Sequence, residues 1–210
     1  MEVSKVTAKN RWNGNQRRIG ITGGIASGKS SITRYLSDSK KIPILDADIF
    51  AREALMHKTK ITNQIIERYG AKVITDKTDK KTIERLALGK IIFANKKERL
   101  WVENLIHPYV TKRFDEELKK LHTSPILALV IPLLFEAKLT HICSEIWCIY
   151  CTKEQQYNRL NHRNYFSYKE SKLRIESQLP MEYKMQMSDQ TIDNSANSKL
   201  SYDQIDKLLC

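Results

Sequence analysis

The sequence predicts an α/β fold on a parallel central sheet, and three observations predict it. The run Arg18-Ile19-Gly20-Ile21-Thr22 enters a glycine-rich segment, Gly23 to Gly28, and then a helical pattern with Ile32, Tyr35 and Leu36 on one face. Two later runs, Ile126–Phe135 and Ile146–Cys151, are apolar without alternation, as strands buried on two faces are. Amphipathic helical stretches lie between and after these runs, so strand and helix alternate along the chain.

The size agrees. A chain of 210 residues, 41% apolar and 29% charged, suits one domain or one domain with an insertion and is not disordered or fibrous. The longest apolar run, Ile126–Phe135, contains Pro132 and falls well short of the roughly 20 residues of a bilayer span, so a soluble protein is expected. Four unevenly spaced cysteines are too few for a secreted disulfide framework and favour a reducing cytoplasm. The net charge of +12 calls for a polyanionic partner, of which nucleic acid is the commonest form.

Taken in order, residues 1–18 carry Lys5, Lys9, Arg11, Arg17 and Arg18 against Glu2, so +4 of the excess is local and the body keeps +8. With little apolar periodicity and no secretory core, they read as a basic leader without fixed structure. Gly23-Gly24-Ile25-Ala26-Ser27-Gly28-Lys29-Ser30 then satisfies every fixed position of G-x-x-x-x-G-K-[ST]. Glycines let successive N–H groups surround a phosphate, Lys29 can reach the β and γ oxygens, and the Ser30 hydroxyl can ligate Mg²⁺. With a strand before it and a helix after it, this segment binds a nucleoside triphosphate.

The reaction class needs more. No aspartate is followed three residues on by glycine, as a GTPase switch requires. Asn95-Lys96-Lys97-Glu98 resembles a guanine-reading motif but reads better as a helix capping box. A motor core would need more chain, so a small-molecule kinase remains. The short strand Ile42–Leu45 ends in Asp46-Ala47-Asp48, with Arg52 four residues on. Carboxylates at a strand's C-terminal end open onto the crevice where α/β sheets bind ligands. One can accept a hydroxyl proton and the other hold metal-bound water, while Arg52 can fix an acceptor phosphate; the plain alternative is that either Asp caps the next helix.

From 51 to 123 the pattern is helical. Ile61, Ile65, Ile66 and Tyr69 form one stripe ending before Gly70; Ile83, Leu86 and Ala87 start another. Pro108 suits the first turn of a helix with Val110, Phe114, Leu118 and Leu121 on its apolar face. An acceptor with an apolar arm could lie between such helices. After the sheet resumes, 153–184 is polar. Arg159 and Arg163, four apart, share a helix face that is either solvated or converges on phosphates. Ser167–Glu170 forms a capping box opening a helix that should end before Pro180. Cys148 and Cys151, three apart in a strand, face opposite ways and read as buried thiols.

The ordered set resembles the dephospho-CoA kinase family. It comprises Ile21-Thr22-Gly23-Gly24-Ile25-Ala26-Ser27-Gly28-Lys29-Ser30, Asp46-Ala47-Asp48 with Arg52, Ile106-His107-Pro108-Tyr109-Val110, Ile131-Pro132-Leu133-Leu134-Phe135-Glu136, Gln156-x-x-Arg159-Leu160-x-x-Arg163, Gln178 and Ile192-Asp193-Asn194. The resemblance implies a P-loop kinase three-layer sandwich, its core formed by 19–50, 124–152 and 185–210. It implies a helical CoA-binding insertion at 51–123 and a helical lid at 153–184. The implied reaction is ATP- and Mg²⁺-dependent phosphorylation of the 3′-hydroxyl of dephospho-CoA, the last step of coenzyme A synthesis. Gly23, Gly24, Ile25, Ala26, Ser27, Gly28, Lys29, Ser30, Ser31 and Asn194 would hold the nucleotide, and Ser30 with Asp46, directly or through water, the metal. Asp48 would be the general base, Lys29, Arg159 and Arg163 would stabilise charge, and Arg52, His107, Glu136, Asp48 and Arg163 would meet the acceptor. His107 either orders the helix junction or lines the CoA pocket. The expected protein acts in the cytoplasm without nucleic acid or membrane, as a monomer or weak homo-oligomer. Rivals are other nucleotide or small-metabolite kinases and a nucleic-acid-binding ATPase. Two departures loosen the pattern: Ser195-Ala196-Asn197 stands where the family has a small residue and glycine, and Asp79–Arg85 diverges from an L-D-R segment.

Overall fold

The computed structural model describes residues 11–56, 59–74 and 82–210. Positions 1–10 of the expected leader, and Asp79–Lys81, lie outside the described residues. Five strands, β1 (Arg17–Thr22), β2 (Ile44–Asp46), β3 (Ile126–Val130), β4 (Glu145–Tyr150) and β5 (Gln190–Asp193), form one sheet in the order β2-β3-β1-β4-β5. Every pairing is parallel, so all five C-terminal ends share one edge.

The helices are α1 (Lys29–Asp38), α2 (Ala47–Ala54), α3 (Lys60–Tyr69), α4 (Arg85–Ala94), α5 (Lys96–Lys120), α6 (Lys153–Asn164), α7 (Tyr168–Glu176), α8 (Met181–Met187) and α9 (Ser198–Leu209). Two compact units result: one of the residues up to Asp46 and from Lys120 onward, the other Ala47–Lys119. The first holds the whole sheet, and α6, α7 and α8 with it.

The strands of the first unit explain their own composition. Ile19, Ile21, Ala128, Val130, Trp147, Ile149 and Ile192 alternate on one face and pack with Ile32 and Leu36 of α1 and Ile205 of α9. The intervening Leu127, Leu129, Ile146 and Cys148 are fully buried too. Burial on both faces leaves no polar position in β3 or along Ile146–Ile149 of β4, which is why those two read as continuous runs. In the second unit, Ile65, Val73, Ile83, Leu88 and Val102 form a separate core. A T-shaped pair, Phe50 and Phe114 with centroids 5.1 Å apart, joins α2 to α5 there.

Several expectations are corrected. The leader does not extend to residue 18: Arg17 and Arg18 belong to β1, the Trp12 amide donates to the Cys143 carbonyl at 3.1 Å, and Gln16 Nε2 donates to the Leu121 and Ser124 carbonyls, both at 2.7 Å. Arg11 pairs with Asp189, Arg17 with Glu145, and the Arg18 guanidinium lies 3.4 Å from the Trp12 ring centroid. These partners are distant in sequence, so local composition could not reveal them. The run Ile126–Phe135 is strand only to Val130, because Pro132 has no amide for a ladder. Ile83 precedes α4 and bridges Ile74 in an antiparallel pair. Pro108 lies inside the 25-residue α5, not in a first turn. Its missing N–H and ring clash cost about 3 kcal/mol in a helix interior, and burial of Val102 before it and Val110, Phe114 and Leu118 after it holds the helix continuous. The second compact unit, Ala47–Lys119, overlaps most of the stretch 51–123 expected as the helical insertion.

Candidate active site

β1 is the strand from which the site grows. Its last residue, Thr22, donates through Oγ1 to the Pro132 carbonyl at 3.2 Å, and the loop Gly23–Gly28 follows. Gly28 caps α1 at φ 96° with no side-chain capping bond. A helix of ten residues that begins without a side-chain cap presents amides and a positive dipole end to an anion. The geometry also demands this glycine, since a Cβ there would lie 1.9 Å from Asn194 Nδ2. The Ser27 N–H closes a turn on the Gly24 carbonyl at 3.2 Å, and Ala26 adopts φ 59°. Lys29 Nζ donates to the Gly23 and Gly24 carbonyls at 2.9 and 2.8 Å, so its ammonium sits at the mouth of its own loop. Ser30 is exposed in the first turn of α1, and the Ser31 hydroxyl lies 3.0 Å from that of Tyr202. Ser27 Oγ is buried without a hydrogen-bond partner. Together, these features fit a polyphosphate: amides, an ammonium and an orphaned hydroxyl surround one loop.

Asp46 closes β2 in register with Val130, itself in register with Ile21. Two strand spacings put its Cα about 10 Å from the strand that carries the loop, on the same edge of the sheet. Its carboxylate and the Ser30 hydroxyl are hard oxygen donors, the set that Mg²⁺ prefers. Asp48 is exposed in the first turn of α2, and Arg52 is exposed in its last turn, four residues on and on one helix face. His107 is half-buried in the middle of α5.

Three of the expected residues do something the sequence did not suggest. Arg159 turns its guanidinium on backbone, donating to the Ala26 and Asn194 carbonyls at 3.1 Å each. Asn194 braces the loop from behind: Nδ2 donates to the Ser27 carbonyl at 2.9 Å and Oδ1 accepts from Ser201 at 3.0 Å. Glu136 Oε1 accepts from the Leu179 amide at 3.0 Å and from Lys184 Nζ at 2.8 Å, an ammonium with no exposure that also donates to the Pro132 carbonyl at 2.8 Å. Glu136 thus ties the segment before α8 to the turns that follow β3, and its Oε2 is buried without a partner. Arg163 is exposed on α6, with Nε on Asn164 Oδ1 at 2.9 Å, so the structure does not bring it to the loop beside Arg159.

Other groups take plain structural roles. Burial raises the Cys148 thiol to about 11 and the Cys143 thiol to about 12, in the direction of inert core residues. Asn95 caps α5 through Oδ1, at 2.9 Å from the Lys97 amide, while Glu98 leaves the expected box to bind Arg68 and Tyr69. The sequence reading assigned no role to Gln156, Gln178 or Lys184; the two glutamines bond the Ile25 backbone of the loop, and Lys184 joins Glu136 to the Pro132 carbonyl.

A parallel sheet whose central strand ends in a glycine loop and an uncapped helix defines a P-loop kinase. A crystal structure of a Thermus thermophilus protein matches at TM-score 0.75 and 26% identity, covering 93% of this chain and 97% of that one. The dephospho-CoA kinase from Campylobacter jejuni matches at TM-score 0.61 and 26% identity, covering 91% and 96%. The dephospho-CoA kinase family model matches residues 17–199. A dephospho-CoA kinase from Prochlorococcus marinus is 53% identical over 210 residues, all of both chains, and one from Trichormus variabilis is 42% identical over 191 residues, 91% and 95% of the two chains. The chain belongs to the dephospho-CoA kinase family and is a transferase.

Proposed function

We propose that the protein transfers the γ-phosphoryl group of ATP to the 3′-hydroxyl of dephospho-CoA, giving CoA and ADP, the last step of coenzyme A synthesis. The observation that carries the nucleotide half is the uncapped N-terminus of α1 beneath Lys29. Amides within Gly24–Ser31 hold the phosphates, apart from those of Ile25, Ser27 and Ser31, which bond to Gln178 and to loop carbonyls, and Lys29 neutralises them. Ser30 and Asp46 would hold Mg²⁺, which when bound offsets charge on the transferring phosphate. Asp48 serves as general base, taking the hydroxyl proton as that oxygen bonds to phosphorus and the bond to the ADP oxygen breaks. Arg52 orients the acceptor, and Arg163 supplies charge from the polar helices. Arg159 and Asn194 act through the loop they brace.

The acceptor's apolar arm has a candidate place within the helical unit. A groove of about 380 Å³ is lined by Leu55, Leu88, Ile92, Phe93, Val102 and Ile106. Among the described residues no helix is long and apolar enough to cross a membrane, and none holds a group of three or more His, Cys, Asp or Glu side chains fit for a metal. A cytoplasmic monomer or weak homo-oligomer without nucleic acid suits this chemistry.

ADP release, coupled to a dehydrogenase and measured with dephospho-CoA, AMP, small-metabolite acceptors, DNA and RNA in turn, tests the reading. Release is expected with dephospho-CoA; stimulation by nucleic acid alone would overturn it. Asp48→Asn should lower kcat about 10²- to 10⁴-fold, the usual worth of a general base, with the KM for ATP little changed.

A further inference from the structure

We propose that Gln156 and Gln178 are positioning residues that grip the Ile25 backbone from two elements and set the peptide orientations of the phosphate loop. The inference rests on the kinase reading of that loop. Gln178 Oε1 accepts from the Ile25 N–H at 2.8 Å, and Gln156 Nε2 donates to the Ile25 carbonyl at 2.7 Å. Gln156 is buried on α6, three residues before Arg159 and on its face. Gln178 lies between α7 and α8, one residue before the Leu179 amide that Glu136 holds at 3.0 Å.

The consequence follows from the planar trans peptide, in which each carbonyl points away from the N–H of the next residue. Side chains donate to three successive carbonyls: Gln156 to Ile25, Arg159 to Ala26 and Asn194 to Ser27. Their peptide units therefore turn the Ala26, Ser27 and Gly28 amides to the opposite side. Gln178 acts on the preceding unit. Its hold on the Ile25 N–H orients the Gly24 carbonyl, which accepts from Lys29 Nζ at 2.8 Å. One carboxamide thus positions the Ala26 amide and the other positions the carbonyl that carries the catalytic ammonium. Ala26, left-handed at φ 59° without being glycine, keeps that conformation because its neighbours are fixed. Gln156 also explains Gly24: a Cβ there would sit 2.4 Å from its Nε2.

Neutral carboxamides suit this task. A carboxylate at 178 would repel a triphosphate, and an ammonium at 156 would compete with the loop for it. The test combines Gln178→Ala, Gln156→Met and Gln156→Glu, read by calorimetric titration with ATP, by KM for each substrate and by thermal melting. Losing one bond to the loop should weaken ATP binding about tenfold in the first two variants, with KM for dephospho-CoA within about twofold of wild type. Gln156→Glu, which sets an acceptor against the Ile25 carbonyl, should be weaker still. ATP affinity unchanged in Gln178→Ala and Gln156→Met, or both KM values rising together, would overturn the proposal. Because Gln178 is half-exposed, its variant folds independently of α6 packing and keeps the test decisive. Wild-type protein that bound ATP yet released no ADP with dephospho-CoA would instead sink the acceptor assignment and leave the binding comparison intact.

Discussion

At Gly28 a single hydrogen atom decides whether the loop exists. The residue combines φ 96° with an amide nitrogen 1.9 Å from where a Cβ would stand. That nitrogen cannot withdraw cheaply, because Asn194 is buried and bonded to Ser27 and Ser201. Gly28→Ala should therefore cost about 1–3 kcal/mol in backbone strain and displaced contacts. It should also abolish measurable ATP binding, as urea unfolding and calorimetric titration would show side by side. Lys184 makes a different point at the same scale. Its ammonium has no exposure and lies between Glu136 and the Pro132 carbonyl. Truncating one partner of a buried pair costs about 3–5 kcal/mol, much of it from the group left behind. Lys184→Ala should lose that much in urea, and Lys184→Met less, because it refills the space. Equal stability of Lys184→Ala and wild type would show that the pair contributes nothing net.

The helices of the insertion depend on links between elements more than on intrinsic propensity. Near its start α5 is fastened to α3 through Glu98, which accepts from Arg68 Nε at 2.8 Å, Arg68 Nη2 at 2.9 Å and the Tyr69 hydroxyl at 2.6 Å. The Arg68 bonds first, then the Tyr69 bond, lower the Glu98 carboxyl from the usual 4.5 to about 2. A carboxyl depressed in the folded state stabilises fully above its unfolded value and loses that contribution as pH falls through the folded one. The link is thus complete above about pH 4.5 and gone below about pH 2. Glu98→Gln should melt below wild type at pH 6, and the gap should close across that interval. A gap constant down to pH 2 would mean the effect is packing, not charge. The same three bonds explain why Asn95 caps α5 without the reciprocal half of a capping box: the carboxylate that would complete it is already occupied.

Across the whole molecule, what was legible in the sequence is what local pattern encodes. The phosphate loop, the acidic end of β2 and the doubly buried strands declare themselves by spacing and composition. The roles of Gln156 and Gln178 do not, because their bonds to Ile25 span 131 and 153 residues. The basic start failed for the same reason. Its arginines read as surplus charge, yet Arg11 and Arg17 meet Asp189 and Glu145, and Arg18 stacks on Trp12. The net +12 already counts those two carboxylates and is unchanged, but the local surplus of the start is no longer a solvated basic run. The N-terminal boundary becomes testable. A chain beginning at Ile19 loses two residues of β1, the central strand, together with the Gln16 bonds to Leu121 and Ser124 and the Trp12 bond to Cys143. A chain beginning at Arg11 keeps all of them. Each lost hydrogen bond is worth about 0.5–1.5 kcal/mol, and domains of this kind hold only about 5–15 kcal/mol in total. The shorter chain should melt at least about 10 °C below the longer one, or fail to fold, with circular dichroism as the readout. Equal melting temperatures would restore residues 11–18 to the leader and return their charge to the search for a polyanion.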